Sequence, residues 1–406
     1  MKSDKKARET EKPTPQGTVG EVFSAFLKLG LTSFGGPIAH LGYFRDELVI
    51  RREWINEAGY ADLVALCQFL PGPASSQVGF ALGLMRGGPL GALAAWAAFT
   101  LPSALLLLLL AYGASAFEGP VGAGLIHGLK LVAVAIVAQA VWGMARTLTP
   151  DRERASIALA AVLIVIFMAG SVGQISAILI GGFAGLWLCR ADPGPVVGHL
   201  KFPVSKWVGT IALVLFALLL LLLPFAAGMS QGMALFASFY RAGSLVFGGG
   251  HVVLPLLQAE VVTSGAVSND AFLSGYGMAQ AVPGPLFTFA AYLGAVMGTV
   301  PNGLTGATIA LVAIFLPGFL LLVGALPFWD ALRSRPVAQA AMRGANAAVV
   351  GILGAALYDP VWTSAILTPF DFALGLAGFM LLTVWKVPPW IIVVLMALGG
   401  VALGLL

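Results

Sequence analysis

Two basic residues sit where an apolar membrane segment would have to carry them: Lys28 in FSAFLKLGL and Arg241 in ASFYRAGSL. Ionisable groups inside a membrane are costly and mark substrate or ion pathways, and a pathway for an anion needs cations or oriented N–H groups at depth. The two residues occupy the same position of two similar stretches. Residues 26–48 read FLKLGLTSFGGPIAHLGYFRDEL, and residues 239–261 read FYRAGSLVFGGGHVVLPLLQAEV. Superposing them sets Lys28 on Arg241, Gly30 on Gly243, Phe34-Gly35-Gly36 on Phe247-Gly248-Gly249, and Glu47 on Glu260. Each cation also lies only a few residues from the start of its segment, where its head could instead snorkel to the interface.

The glycine-rich stretches offer a second device. A helix that begins after Gly35-Gly36-Pro37, or after Gly248-Gly249-Gly250, turns free N–H groups and a positive dipole end toward a ligand. A further pair of breaks follows: Gln68-Phe-Leu-Pro71-Gly72-Pro73 echoes Gln280-Ala-Val-Pro283-Gly284-Pro285. Ser75, Ser76 and Gln77 after the first, and Thr288 after the second, could supply side-chain donors. Close packing of small residues between helices is the plainer use of any single glycine; four breaks at matched places point to a site. Glu47 and Glu260 are candidate proton carriers, with an interfacial ion pair to Arg51 or Arg52 as the alternative for Glu47. His40 and His251 follow the glycine pairs, and an imidazole titrates near neutral pH. Lys130 stands in an otherwise apolar run and could line the path. Phosphate-binding and zinc-protease motifs do not occur, and four His with two Cys suggest no metal cluster. The chain reads as no enzyme, with no cofactor and no metal.

What must position these residues is an all-α polytopic membrane protein. The 406 residues are 59% hydrophobic and 10% charged, with a mean hydropathy of +0.94, against about 25% charge in soluble domains. The net charge of +4 then reports loop topology rather than nucleic-acid binding. Nine full spans are expected, at 89–117, 121–148, 155–170, 172–189, 207–227, 303–327, 337–357, 362–384 and 388–406. Four further regions (21–50, 57–85, 231–260 and 271–298) are apolar but broken by Gly and Pro, and read as re-entrant hairpins. First-half connections carry Arg45, Arg51, Arg52 and Arg86, whereas 261–270 and 298–303 carry no Lys or Arg. Further basic loops hold Arg146, Arg152 and Arg154, then Arg190, Lys201 and Lys206, then Arg333, Arg335 and Arg343. The positive-inside rule places these loops and the polar N-terminal tail in the cytoplasm, with the bare second-half loops outside. The expected organisation is a tail (1–19), a first repeat (20–190), a linker with one topology-inverting span (191–230) and a second, inverted repeat (231–406) in the plasma membrane.

The motifs resemble the chromate ion transporter family in its two-domain, long-chain form. The resemblance rests on Phe34-Gly35-Gly36-Pro37 with Ala39-His40 and Glu47, on Pro71-Gly72-Pro73 with Gln77 and Gly83, and on the second copies at Phe247-Gly248-Gly249 and Pro283-Gly284-Pro285. It implies export of chromate by a proton-coupled antiporter, with sulfate as a similar tetrahedral oxyanion. A passive anion channel on the same scaffold is the competing reading, and a homodimer is an allowed assembly. The second copy departs from the first: Gly250 replaces Pro37, and Phe289 stands where Gln77 would fall, which implies two unequal half-sites on one path.

Overall fold

The computed structural model describes residues 17–113, 119–168, 170–190, 202–333 and 335–405. Residues 1–16 of the expected tail, and Lys201 with residues 191–200 of the expected linker, lie outside them. Every regular element among the described residues is helical, the solution that satisfies backbone N–H and C=O groups without water.

The chain opens with α1 (Val19–Thr32). Thr18 caps it by accepting from Glu21 N, and Val22, Ala25, Phe26 and Leu29 form its buried stripe. The chain breaks at Phe34–Gly35 and resumes as α2 (Gly36–Phe44), which widens into a π-helical turn over Arg45–Arg51. Then come α3 (Glu57–Phe69) and α4 (Ala74–Gly113). The regions expected as separate, 57–85 and 89–117, share α4, which bends at Gly87-Gly88 (φ +65° at Gly88) ahead of Pro89. Next are α5 (Gly119–Leu148), α6 (Arg152–Phe167), α7 (Ser171–Leu188) and α8 (Lys206–Ala226). At the α5–α6 connection, hydrogen bonds from Arg154 hold the Asp151 carboxyl below its usual range.

The second half begins with α9 (Gln231–Ser244), capped by Ser230. It breaks at Gly248-Gly249 and resumes as a short turn (Gly250–Val252), α10 (Val253–Leu257) and a π-helical turn (Gln258–Val262). There follow α11 (Asn269–Ala281), α12 (Phe289–Val296), α13 (Gly303–Ala325), α14 (Trp329–Arg333), α15 (Pro336–Ala356), α16 (Thr363–Ala365), α17 (Pro369–Thr383) and α18 (Pro389–Gly404).

Among the described residues, six helices are long and apolar enough to cross a bilayer: Ala74–Gly113, Gly119–Leu148, Ser171–Leu188, Lys206–Met229, Gly303–Leu332 and Pro336–Ala365. Six of the nine expected spans coincide with these helices. The spans read at 155–170, 362–384 and 388–406 are helices of 16, 15 and 16 residues, and about 20 are needed to cross comfortably. In the 362–384 segment Thr368 starts a new helix with a capping box to Asp371, which divides what hydropathy alone reads as one run. Large apolar side chains on α6, α7 and α8 point outward, including Leu159, Phe167, Phe183, Trp187, Trp207 and Phe225; lipid, not a core, is their solvent.

Glycines set the tightest crossings. On α5, a Cβ added at Gly124 would lie 2.8 Å from Val401 Cα, and one at Gly128 2.8 Å from Ala397 Cα, both on α18. On α7, a Cβ at Gly185 would lie 2.9 Å from Gly344 Cα, on α15. First-half α5 thus packs against the last helix of the chain, and α15 of the second half against α7 of the first, with small residues letting backbones approach.

Candidate functional site

The four breaks come together. Where α1 stops, its terminal carbonyls lack intrahelical partners, and Ser33 O accepts from Gly284 N at 2.9 Å. Val246, just beyond the end of α9, does the same: its carbonyl accepts from Gly72 N at 2.8 Å. Each Pro-Gly-Pro break therefore donates to the carbonyl that precedes the other half's Phe-Gly-Gly. The residues that follow the two glycine pairs also meet, since a Cβ at Gly250 would lie 3.1 Å from Pro37 Cγ. Gly35, Gly36, Gly72, Gly248, Gly249 and Gly284 all have positive φ (97°, 79°, 125°, 74°, 147° and 103°), a region open at little cost only to glycine. A Cβ at Gly36 or Gly249 would meet nothing within 4 Å, so both face open space. A small cleft at this point is lined by Gly35, Gly36, His251, Gln280, Gly284 and Pro389.

Lys28 and Arg241 do not present free charge to that cleft. Lys28 Nζ donates to Glu47 Oε2 at 2.7 Å, and Arg241 binds Glu260 through Nε–Oε1 (2.8 Å) and Nη2–Oε2 (2.7 Å). Both carboxylates are held on the π-helical turns, which carry them back toward the helix that precedes the break. The surroundings differ. Glu47 also accepts from Arg51 Nη1 (2.9 Å) and Arg52 Nε (2.8 Å), so three cations share one carboxylate. Glu260 instead accepts from Ser171 Oγ at 2.7 Å. Arg52 and Arg86 stack over the Trp54 ring at 5.7 and 5.5 Å, and Trp54 Nε1 donates to Glu21. Lys130 is paired as well, with Asp270 at 2.9 Å.

The remaining sequence-derived candidates divide into braces and donors. Gln77 Nε2 donates to Pro71 O (3.1 Å) and Gly318 O (2.9 Å), stapling the Pro71-Gly72-Pro73 turn to α13. Thr288 Oγ1 donates to Pro285 O at 2.7 Å and closes the Pro283-Gly284-Pro285 turn. His40 Nδ1 lies 3.4 Å from Ser75 Oγ, and His251 Nδ1 shares a 2.7 Å hydrogen bond with Tyr276 Oη. Ser76 Oγ is buried with no partner among the described residues.

Ser33 and Thr100 are buried too, their hydroxyls equally unpartnered, and the sequence drew no attention to them. Ser103 Oγ donates to Thr100 O, and a Cβ at Gly284 would lie 3.0 Å from Ser103 Oγ and 3.2 Å from Phe99 O. Around Gly284 the first half thus gathers Ser33 and Ser103, with Thr100 bonded to Ser103. At the matched second-half positions stand Val246, Phe315 and Gly318, and Phe287 and Phe289 replace Ser75 and Gln77. The signal was available in the registered halves: hydroxyls and an amide in one copy, mostly aromatics in the other. Sequence reading also passed over His127 and Asp371, which meet at 2.7 Å on α5 and α17.

Comparison with known proteins bears on both halves. The family described as Chromate transporter matches residues 20–186 and 233–402. A chromate transport protein of Pseudomonas aeruginosa is 30% identical over 404 residues, covering 96% of this chain and 93% of that protein. A probable chromate transport protein of Synechococcus elongatus is 28% identical, covering 95% and 96%. A chromate transport protein of Cupriavidus metallidurans is 28% identical over 352 residues, covering 84% and 82%. No solved structure matches the chain.

Proposed function

The chain belongs to the chromate transporter family, and from that premise we propose that it exports chromate from the cytoplasm as a secondary transporter coupled to the proton motive force, with sulfate-like dianions competing. The observation that carries this reading is the reciprocal pair of hydrogen bonds, Gly284 N to Ser33 O and Gly72 N to Val246 O. It supports two repeats meeting on one path rather than two separate paths. The bare loops 261–270 and 298–303, set against the arginines of the first half, support repeats of opposite orientation with a cytoplasmic N-terminus in the plasma membrane. Cysteines placed at Arg51 and Ser264, after replacement of buried Cys67 and Cys189, should then react with impermeant reagents from opposite sides. Labelling of both from one side would rule out that orientation.

In this proposal the dianion is held by uncharged donors. With Lys28 and Arg241 neutralised by their carboxylates, the groups left at the breaks are N–H and O–H: the hydroxyls of Ser33, Ser76 and Thr100, the Gln280 amide, and the backbone at the starts of α2 and α4. Buried polar groups without partners are rare and costly, so the unpartnered hydroxyls of Ser33 and Ser76 beside the breaks, with Gln280 lining the cleft, support a ligand there. Uncharged donors suit a transporter, because a cationic donor would add Coulomb attraction to each hydrogen bond with the dianion and slow release. The aromatic second-half face gives the site its apolar wall. Lys28 and Arg241 act as positioning residues that hold the ends of the breaks.

The test is chromate and sulfate flux in vesicles. A hydrogen bond to a charged partner contributes about 1.5–3 kcal/mol, and each 1.4 kcal/mol is about tenfold in affinity. Ser33→Ala and Thr100→Val should therefore each raise the chromate KM about tenfold or more, with protein levels unchanged. An unaltered KM in both would remove the site from this place. Accumulation against a gradient that an uncoupler abolishes distinguishes a coupled transporter from a channel.

A further inference from the structure

His127 and Asp371 join the two halves at a point that the substrate path does not use. His127 projects from α5 and Asp371 is the third residue of α17. Asp371 Oδ2 accepts from Leu367 N (3.1 Å), Thr368 N (2.8 Å) and Thr368 Oγ1 (2.9 Å), which completes the cap of α17. Its other oxygen, Oδ1, is given to His127 Nε2 at 2.7 Å. Capping requires only one oxygen, so the contact with the imidazole is additional to it. The Asp371 side chain is 5% exposed and that of His127 is 23% exposed. The carboxylate is thus shielded while part of the imidazole stays at the protein surface. Among the described residues, His127 is the histidine that meets a carboxylate; His40 and His251 meet Ser75 and Tyr276.

The electrostatic surroundings are sparse. One turn further along α5, Lys130 is bound to Asp270 in the first turn of α11. The charged residues of α15, Arg343, and of the turn after it, Asp359, bond to Cys189 O and Gln339 Oε1, and to Thr363 Oγ1. On α11 the phenol of Tyr276 bonds to His251. The helix α18 carries no Asp, Glu, His, Lys or Arg, α16 carries none, and α17 carries only Asp371. In such surroundings Asp371 is the charged group in contact with His127 that balances a proton placed on it.

We propose that His127 and Asp371 are the proton-loading pair of the transport cycle. Neutral His127 donates Nε2–H to the Asp371 carboxylate; Nδ1 then takes one proton from a hydronium ion of the acidic side, leaving water, and the imidazolium is held against the carboxylate as an ion pair. Loss of the same proton from Nδ1 restores the neutral ring. Because α5 and α17 belong to different halves, loading tightens a link between the halves and unloading loosens it. In the proposed topology the pair lies on the outer side, where protons enter for export. This inference rests on the reading of proton-coupled export.

The test uses the full-length protein in everted vesicles, with chromate–chromate exchange measured alongside uptake driven by an acid lumen. His127→Gln and Asp371→Asn each remove a titrating group, and Asn keeps an oxygen for the α17 cap. Exchange and its KM should persist, acceleration by the pH gradient should fall about tenfold or more, and the pH profile of uptake should flatten. Variants that respond to the gradient as wild type does would overturn the pair while leaving proton coupling intact. Loss of exchange together with the gradient response in both variants would make the pair a structural clasp and also overturn the proposal. A wild-type protein indifferent to the gradient would refute proton coupling itself, and the role of the pair with it.

Discussion

Replacing Gly72 with Ala should nearly abolish chromate flux and lower the melting temperature of the purified protein. At φ +125° an alanine is strained by about 1–3 kcal/mol, and its Cβ would sit 3.0 Å from Gly318 Cα, a backbone atom that cannot rotate away. Relief requires the Pro71-Gly72-Pro73 turn to move, and with it the hydrogen bond to Val246 O. Gly284→Ala (φ +103°) should impair flux as strongly but stability less, because its nearest neighbour is Ser103 Oγ, the end of a side chain that can turn. Gly113→Ala is the control, with no positive φ and nothing within 4 Å. Near-wild-type flux in Gly72→Ala would show that the interlocked breaks are not part of the path.

The second large effect concerns the ion pairs, and it should be unequal between the halves. Glu260→Gln leaves Arg241 facing a neutral amide oxygen and Ser171 in place of a bidentate carboxylate. Breaking a buried pair costs about 3–5 kcal/mol; with the Arg241 side chain 32% exposed, about 1–3 kcal/mol is the better expectation. In a cycle with Arg241→Gln, the double variant should cost less than the sum of the singles, with a coupling of about 0.5–3 kcal/mol. Lys28→Gln should cost under about 1 kcal/mol and leave the chromate KM unchanged, because Glu47 keeps Arg51 and Arg52. Unfolding of detergent-solubilised protein measures both. Additive singles at Arg241 and Glu260, or a KM at Lys28 raised as far as in Ser33→Ala, would contradict the assigned positioning roles.

Composition made the membrane class legible, and the Gly and Pro punctuation made the breaks legible, because positive φ and missing N–H groups are properties of those residues wherever they stand. The matched pairs Lys28 with Arg241 and Glu47 with Glu260 were visible as positions but not as contacts. Nothing local announces that a π-helical turn will carry a carboxylate back to the preceding helix, so cations that the sequence offered to a substrate turn out to be paired. Lys130 with Asp270 and His127 with Asp371 join distant parts of the chain, and such partners have no sequence signature. Ser33 and Thr100 escaped notice for another reason: single hydroxyl residues in apolar helices usually bond to their own backbone, and only burial without a partner sets these apart. Hydropathy alone did not show that Thr368 restarts a helix inside an apolar run.

The glycine crossings have a consequence for how such a chain can be divided. Gly124 and Gly128 are covered by α18 at the far end of the chain, and Gly185 by α15. A fragment ending before α8 would therefore leave two grooves of bare backbone facing lipid, each shaped to the helix that the other fragment carries. Severed halves would be complementary surfaces rather than independent units, and a protein made of one half alone would need a second copy of itself to fill them.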